Sequence, residues 1–170
     1  MRTFVLYSRK GVTEEWKGEA IDAGRMDVVS DCIRSAFLLS HGIRGDVVFY
    51  VCLNGPPNPP KCLKIDKTQV EIDAVKMNNK LKKLIKNAEK KSFQELIKEL
   101  KGEFILLNER GETGIPQSEN PIFVLGDNIG LPKNEEKFVE RFGAKKLGLG
   151  KKHYFAKDAV AITNFLCDQK

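Results

Sequence analysis

Residues 122–130 read Ile-Phe-Val-Leu-Gly-Asp-Asn-Ile-Gly, and this stretch decides the fold. Its four leading residues form a short apolar run, which is typical of a strand buried on both faces in a parallel sheet. The glycine, aspartate and asparagine that follow end the strand in a turn. Because open α/β sheets bind ligands at the carboxyl ends of their strands, the stretch predicts a ligand site beside Gly126–Gly130.

Further strands are predicted on both sides of this one along the chain. Thr3–Tyr7 is short and rich in aromatic and aliphatic residues, and Val47–Leu53 is a continuous apolar run. Phe104–Leu107 and Lys145–Leu149 are predicted as two more strands. Leu63–Ile72 is expected to add one or two short strands at the edge of the sheet.

Helical spacing of apolar residues marks the segments between the strands. Ser92 and Glu95 form a capping box that opens one of these helices, and Gly42 is expected to end the first of them. Asn108–Gly114 is expected to be a turn-rich link. Strands and helices alternate, so the predicted class is α/β with a mainly parallel sheet flanked by helices. The other predicted helices are Met26–Ser40, Asn78–Glu89, Glu135–Phe142 and Ala156–Cys167.

Composition limits the kind of protein. With 170 residues, 41% of them hydrophobic, the chain suits one domain over residues 1–170. The 29 basic residues exceed the 23 acidic ones by six, which favours polyanions. The excess is moderate, so nucleic-acid binding and a merely basic surface both stay open. The same two interpretations apply to the lysine face of Lys82, Lys83, Lys86, Lys90 and Lys91.

The four cysteines and two histidines favour no metal site. No C-x-x-C pair occurs, and His41 and His153 are isolated, so neither zinc nor another metal is expected. Reduced thiols fit a cytoplasmic protein. The amino-terminal stretch lacks a signal-peptide core, and no apolar run reaches membrane-spanning length, so no membrane partner is expected.

Common nucleotide-binding motifs are missing or incomplete. Gly148-x-Gly150-x-x-His153 is nearly G-x-G-x-x-G, but His153 replaces the third glycine and no acidic residue can follow about 20 positions later. There is no P-loop and no G-x-S-x-G motif. The sequence therefore disfavours a dinucleotide enzyme, a P-loop enzyme and an α/β-hydrolase.

Three late strands nevertheless end in glycine-bearing segments. They are followed by residues 108–111, 126–130 and 148–150. Glycines there let the backbone approach a flat ligand and pair with an adenine edge, although each segment alone is also a plausible tight turn.

Two short motifs flank the first helix. Arg25 and Arg44 could bind phosphates or a base edge. Asp27 is equally interpreted as a cap or dipole partner of the helix, and His41 as a structural residue.

Taken together, these segments resemble the archaeal tRNA pseudouridine-54 N1-methyltransferase family, a branch of the SPOUT superfamily. The matching segments are Gly24–Asp27, Phe37–Arg44, Phe123–Leu131 and Leu147–Gly150, in family order and at about the family's spacing. The resemblance implies an α/β domain with a C-terminal trefoil knot and a homodimer. It also implies methyl transfer from S-adenosylmethionine (SAM) to N1 of pseudouridine 54 in the T-loop of tRNA.

The resemblance also implies the site residues. Arg25 and Asp27 would be catalytic, and together with His41 and Arg44 they would bind the target nucleotide, with the first-helix motif of one subunit facing the knot of the other. The residues that would hold SAM, mostly through backbone groups, are Leu107, Leu125, Gly126, Ile129, Gly130, Leu147, Gly148, Leu149, Gly150, Lys151, Lys152 and Ala159.

Three segments depart from the family pattern. Asn108–Gly111 replaces a His-Glu-Asp-Gly-like turn, Lys151 replaces a common proline, and the last helix lacks a His-Asn-Glu-Leu-Asp-like ending. Two alternatives therefore stay open. One is a SPOUT enzyme acting on another RNA, such as an rRNA pseudouridine, and the other is a catalytically silent RNA-binding homologue.

Overall fold

Six strands form one sheet at the centre of the computed structural model, which describes all 170 residues. The strands are β1 (Arg2–Ser8), β4 (Val47–Leu53), β5 (Lys61–Ile65), β6 (Glu103–Thr113), β7 (Pro121–Gly126) and β8 (Lys145–Gly148), and β2 (Leu38–Leu39) with β3 (Gly42–Ile43) forms a separate hairpin. Along the sheet the order is β5-β4-β1-β7-β6-β8. Every neighbouring pair is parallel except β4 with β5, which confirms the predicted α/β class with a mainly parallel sheet.

Helices cover both faces of this sheet. Three of them pack on one face, namely α1 (Met26–Phe37), α2 (Ala74–Leu84) and α5 (Ala156–Cys167). The other face is covered by α3 (Phe93–Glu99) and α4 (Lys133–Glu140). Burial on both faces explains why the central strands are continuous apolar runs in the sequence.

Successive residues of the central strands enter two different cores. Phe4 of β1 packs under α1 against Phe49 and Phe123, with ring centroids 6.3 and 5.3 Å away. Its neighbour Val5 belongs to the core under α3 and α4. This period of two follows from the pleat of a strand. The central strands therefore contribute side chains to the cores on both faces of the sheet.

The first helix is shorter than predicted. It ends at Phe37, because Leu38 adopts an extended backbone and begins the β2–β3 hairpin. Gly42 does not end the helix as predicted but pairs with Leu39 in that hairpin, and Arg44 N donates to the Phe37 carbonyl. Strand pairing thus satisfies backbone groups that a longer helix would have used.

The segment between β4 and α3 also differs from expectation. The edge strand is Lys61–Ile65, and α2 begins early because the Asp73 side chain accepts from Lys76 N at 2.9 Å. A single 3-10 turn, Ile85–Asn87, replaces the last part of the predicted helix. The capping box of Ser92 and Glu95 before α3 is confirmed.

The predicted turn-rich link after Leu107 is wrong. β6 continues to Thr113, and Leu107 and Glu112 both pair with Leu147 of β8, so that residues 108–111 bulge across the end of that strand. Gly111 and Gly148 touch backbone to backbone, and a Cβ on either would collide with the other segment. The wrapping is in keeping with the predicted trefoil knot, which stays a prediction.

Candidate functional site

The sheet opens between β6 and β7 at its carboxyl edge. The two strands pair as far as Leu106 and Val124, but Leu107 and Leu125 are not paired with each other. A cleft of about 390 Å³ lies there, and Ala159 of α5 contributes to its wall. Strand ends that separate in this way are where open α/β sheets bind ligands.

The loop after β7 is fastened to the end of β1 by a buried carboxylate. Asp127 Oδ1 accepts from Ile129 N and Asp127 Oδ2 accepts from Arg9 N, each at 2.9 Å. Arg9 Nε donates to the Gly130 carbonyl at 3.0 Å. These bonds fix residues 126–130 along one wall of the cleft, and neither Arg9 nor Asp127 was predicted from the sequence.

A smaller hollow of about 140 Å³ adjoins the cleft. Leu107 and Ala159 line both spaces, and Leu149, Gly150 and Lys152 line the smaller one. The predicted cofactor residues that border one or both spaces are Leu107, Leu125, Gly126, Gly130, Leu149, Gly150, Lys152 and Ala159.

The other four predicted cofactor residues lie outside the lining. Leu147 is buried, and Gly148 lies against Gly111 beneath the bulge of β6. The Ile129 side chain is 43% exposed, and Lys151 is exposed. Each of these four residues lies within two positions in the sequence of a residue that lines one of the spaces.

Arg25 and Asp27 meet in a third hollow of about 340 Å³. Arg25 Nε and Nη2 donate to the two carboxylate oxygens of Asp27, each at 3.0 Å. Gly24 and Arg25 have positive φ angles of 68° and 64°, and a Cβ on Gly24 would collide with the Lys10 carbonyl. A non-glycine residue in this conformation stores strain, which proteins concentrate at functional sites.

Asp27 is ionised at neutral pH. Partial burial acts to raise its pKa, but the hydrogen bonds and charge of Arg25, with backbone N–H groups, outweigh it and lower the pKa below the usual value. The predicted role of Asp27 as a cap or dipole partner is met only in part, since it lies in the first turn of α1 and Arg25 occupies the N-cap without a capping side chain.

The third hollow shares a wall with the cleft. Asp127, Tyr154 and Ala156 line both spaces. Tyr154 also lines the smaller hollow. Two bound molecules, one on each side of these residues, would therefore lie next to each other.

Arg44 and His41 are not brought to this wall. Arg44 Nη1 and Nη2 bond both oxygens of Asp168, which follows the carboxyl end of α5. Ala156 at the cleft begins that helix, and twelve residues of helix span about 18 Å. His41 is exposed in the β2–β3 hairpin, where its Nδ1 lies 2.9 Å from Ser40 Oγ.

The Arg44–Asp168 pair predicts a pH-dependent stability. Arg44 and, next, Arg2 hold the pKa of Asp168 below its usual value, although partial burial opposes them. Since the folded-state pKa is lowered, the stabilisation is complete above the unfolded value near 3.9 and is lost as pH falls through the folded value. Asp168→Asn should cost about 1–2 kcal/mol at pH 7, because the carboxylate is only partly buried.

Urea denaturation of both proteins at pH 7 and near pH 3 measures this contribution. The difference in unfolding free energy should shrink at the lower pH. An equal difference at both values would contradict the assignment.

Most of the lysine face, which runs from the end of α2 to the segment before α3, is occupied within the chain. Lys86 pairs with Glu15 at 2.8 Å, Lys91 pairs with two glutamates, and Lys82 and Lys90 donate to backbone carbonyls, whereas Lys83 has no partner. This favours the interpretation of a solvated helix face. No group of three potential metal ligands is found, and none of the helices has the length and apolarity needed to span a membrane.

Solved structures share this fold. Nep1 of Archaeoglobus fulgidus, in a structure bound to S-adenosylhomocysteine, has a TM-score of 0.60 and 14% identity, over 86% of this chain and 71% of that one. A structure from a study of 2-OH methylation of C/U34 on tRNA has a TM-score of 0.55 and 16% identity, over 99% and 89%. The class defined by the fold is therefore that of α/β proteins with a cleft at the end of a mainly parallel sheet.

The family follows from the sequence. The chain belongs to the family described as "Putative SAM-dependent RNA methyltransferase", whose model matches residues 1–170. The tRNA (pseudouridine(54)-N(1))-methyltransferase of Thermococcus kodakarensis is 33% identical over 99% of both chains. The protein of the same name from Methanocaldococcus jannaschii is 29% identical over 100% of this chain and 98% of its own. The resemblance deduced from the motifs is thus confirmed.

Proposed function

We propose that this chain transfers the methyl group of SAM to N1 of pseudouridine 54 in the T-loop of tRNA, as its full-length relatives are named for doing. The observation that carries the proposal is the wall shared by the cleft and the Arg25–Asp27 hollow. A methyl donor in the first and a nucleotide in the second would meet across Tyr154 and Asp127 within one subunit, whereas the resemblance implied that the first-helix motif faces the other subunit's knot.

The cleft has a volume suited to SAM, and the backbone at its border is open to a ligand. Its volume of about 390 Å³ lies within the range of small-molecule sites. Gly130 and Gly150 have positive φ angles, and a Cβ on either would meet nothing within 4 Å, so their backbones border open space. SAM, when bound, supplies an electrophilic methyl group on a positively charged sulfur. The residues proposed to hold it are the eight predicted ones that border the two spaces, with Asp127 and Arg9 fixing the loop among them.

Asp27 is proposed to receive the proton that leaves N1. Each carboxylate oxygen of Asp27 accepts one hydrogen bond from Arg25 and keeps a second lone pair. Asp27 can therefore also accept a hydrogen bond from N1–H of the nucleotide. As the N–C bond forms and the bond between the methyl group and sulfur breaks, its electron pair stays on sulfur as a neutral thioether, and the N1 proton moves to Asp27 or to a water beside it. Arg25 holds the carboxylate in one orientation, and much of the rate enhancement then comes from alignment of the two reactants.

The assembly and its compartment are also proposals. We propose a homodimer, a single catalytic domain over residues 1–170, and a cytoplasmic location, which the four free cysteines support. Arg44 is about one helix length from its own subunit's hollow, so we propose that Arg44, with His41 of the same hairpin region, reaches the nucleotide bound by the neighbouring subunit.

Calorimetry with SAM tests the cofactor half of the proposal. The purified chain should bind SAM with a Kd on the order of micromolar, about −8 kcal/mol. A protein that kept the fold only to bind RNA should give no binding heat with SAM at micromolar concentrations. That result would contradict the proposed methyltransferase activity.

A further inference from the structure

Two aromatic side chains before α5 are exposed and stack on no other ring of the fold. Phe155 is 77% exposed, more than any other large apolar side chain, and Tyr154 is 45% exposed. Neither is within stacking distance of another ring, whereas Phe4, Phe104 and Phe138 are. Adjacent exposed apolar side chains rimmed by polar residues are typical of interaction sites and ligand grooves.

Both rings lie where a nucleotide would enter. Phe155 lines the same hollow as Arg25 and Asp27, and Tyr154 stands between that hollow and the cleft. Unstacked bases of single-stranded RNA commonly stack on aromatic side chains. A ring in this position can bind a flipped-out base in the same way.

Three lysines flank the two rings along the chain. Lys151, Lys152 and Lys157 are exposed, and none takes part in the ion pairs within the chain. The lysine face of residues 82–91, by contrast, mostly has partners within the chain. Free ammonium groups beside stacking rings match the phosphates and bases of a single strand, whereas an apolar protein surface would leave those charges unpaired.

We propose that Tyr154 and Phe155 form a stacking platform for a single-stranded RNA loop, with the phosphates of the loop facing Lys151, Lys152 and Lys157. The platform recognises an unstacked nucleotide rather than a sequence, because every base offers a π face. This inference rests on the proposed function for its position beside Asp27, but it concerns RNA binding and is measured without catalysis.

A tryptophan reporter tests the platform directly. The natural Trp16 is nearly buried, 9% exposed, so Phe155→Trp introduces an exposed indole at the platform. A synthetic RNA hairpin whose loop contains pseudouridine should quench that indole to saturation, and a blunt RNA duplex should quench it much less. Val75→Trp is the matched control, since Val75 is 66% exposed in the first turn of α2, and its indole should not respond.

Affinity separates stacking from mere proximity. Phe155→Ala should raise the Kd for the hairpin about tenfold or more, Phe155→Tyr should restore it, and the Kd for SAM should stay unchanged in both. An unchanged hairpin Kd in Phe155→Ala overturns the platform. The platform is also overturned if Phe155→Ala becomes monomeric in light scattering but still binds the hairpin as the wild type does. Phe155 would then be covered by a second copy of the chain and not by RNA.

The two proposals fail in different ways. If the wild type methylates tRNA while Phe155→Ala binds the hairpin normally, only the platform is wrong. If the reporter is quenched while no methyl group is transferred, the platform stands and the enzymatic proposal fails.

Discussion

Asp27→Asn is expected to lower kcat for tRNA methylation by about 10²–10⁴-fold, the usual contribution of a positioned proton acceptor. The amide carries no charge, so it neither attracts the N1 proton nor keeps the two hydrogen bonds from Arg25 at 3.0 Å. Single-turnover methylation of a pseudouridine-containing tRNA at saturating SAM measures the effect. The Kd for SAM should not change, because Asp27 lines the nucleotide hollow and not the cleft.

Asp31→Asn is the matched control. Asp31 lies one turn further along α1, lines the same hollow and contacts Arg34 at 3.7 Å, without a bond to Arg25. Its kcat should remain near that of the wild type. Equal rates for Asp27→Asn and the wild type would remove Asp27 from the proton transfer.

Gly126→Ala is expected to abolish SAM binding at attainable concentrations. A Cβ at this position would overlap Leu131 N and the Gly130 carbonyl carbon and lie 2.6 Å from Gly130 Cα. The loop would have to move by about 1 Å, and displacements of that size cost about 10²-fold or more in a preorganised site. Calorimetry gives the Kd for SAM, and thermal unfolding in parallel shows whether the variant is folded.

Gly114→Ala controls for the loss of a glycine as such. Nothing lies within 4 Å of a Cβ at Gly114, so both stability and the Kd for SAM should match the wild type. A folded Gly126→Ala protein that binds SAM normally would place the cofactor elsewhere.

The sequence predicted the elements whose apolar pattern is contained in one segment. Val47–Leu53 and Ala156–Cys167 have the predicted bounds, because burial on both faces and helical spacing are visible in a single segment. The end of α1 and the extension of β6 were missed. Both depend on pairing with other strands, Gly42–Ile43 and β8, and such pairing leaves no local signal.

The sequence predicted the parts of the candidate site in which glycines follow strands. It missed the residues that hold the site through contacts with a distant part of the chain. Gly126, Gly130 and Gly150 line the spaces as expected. Arg9 is more than a hundred residues from the loop that it fastens, so no spacing rule could find it. Asp127 was part of a quoted motif, and its position after Gly126 is typical of an aspartate that bonds its own turn. Tyr154 and Phe155 could have been noticed as an aromatic pair flanked by lysines.

Nucleoside mapping after incubation with isotope-labelled SAM tests the central claim most directly. The purified chain is offered two tRNA transcripts that differ only in carrying pseudouridine or uridine at position 54. The account predicts label in N1-methylpseudouridine from the first transcript and none from the second. Label in another nucleoside, equal label from both transcripts, or none from either would contradict it.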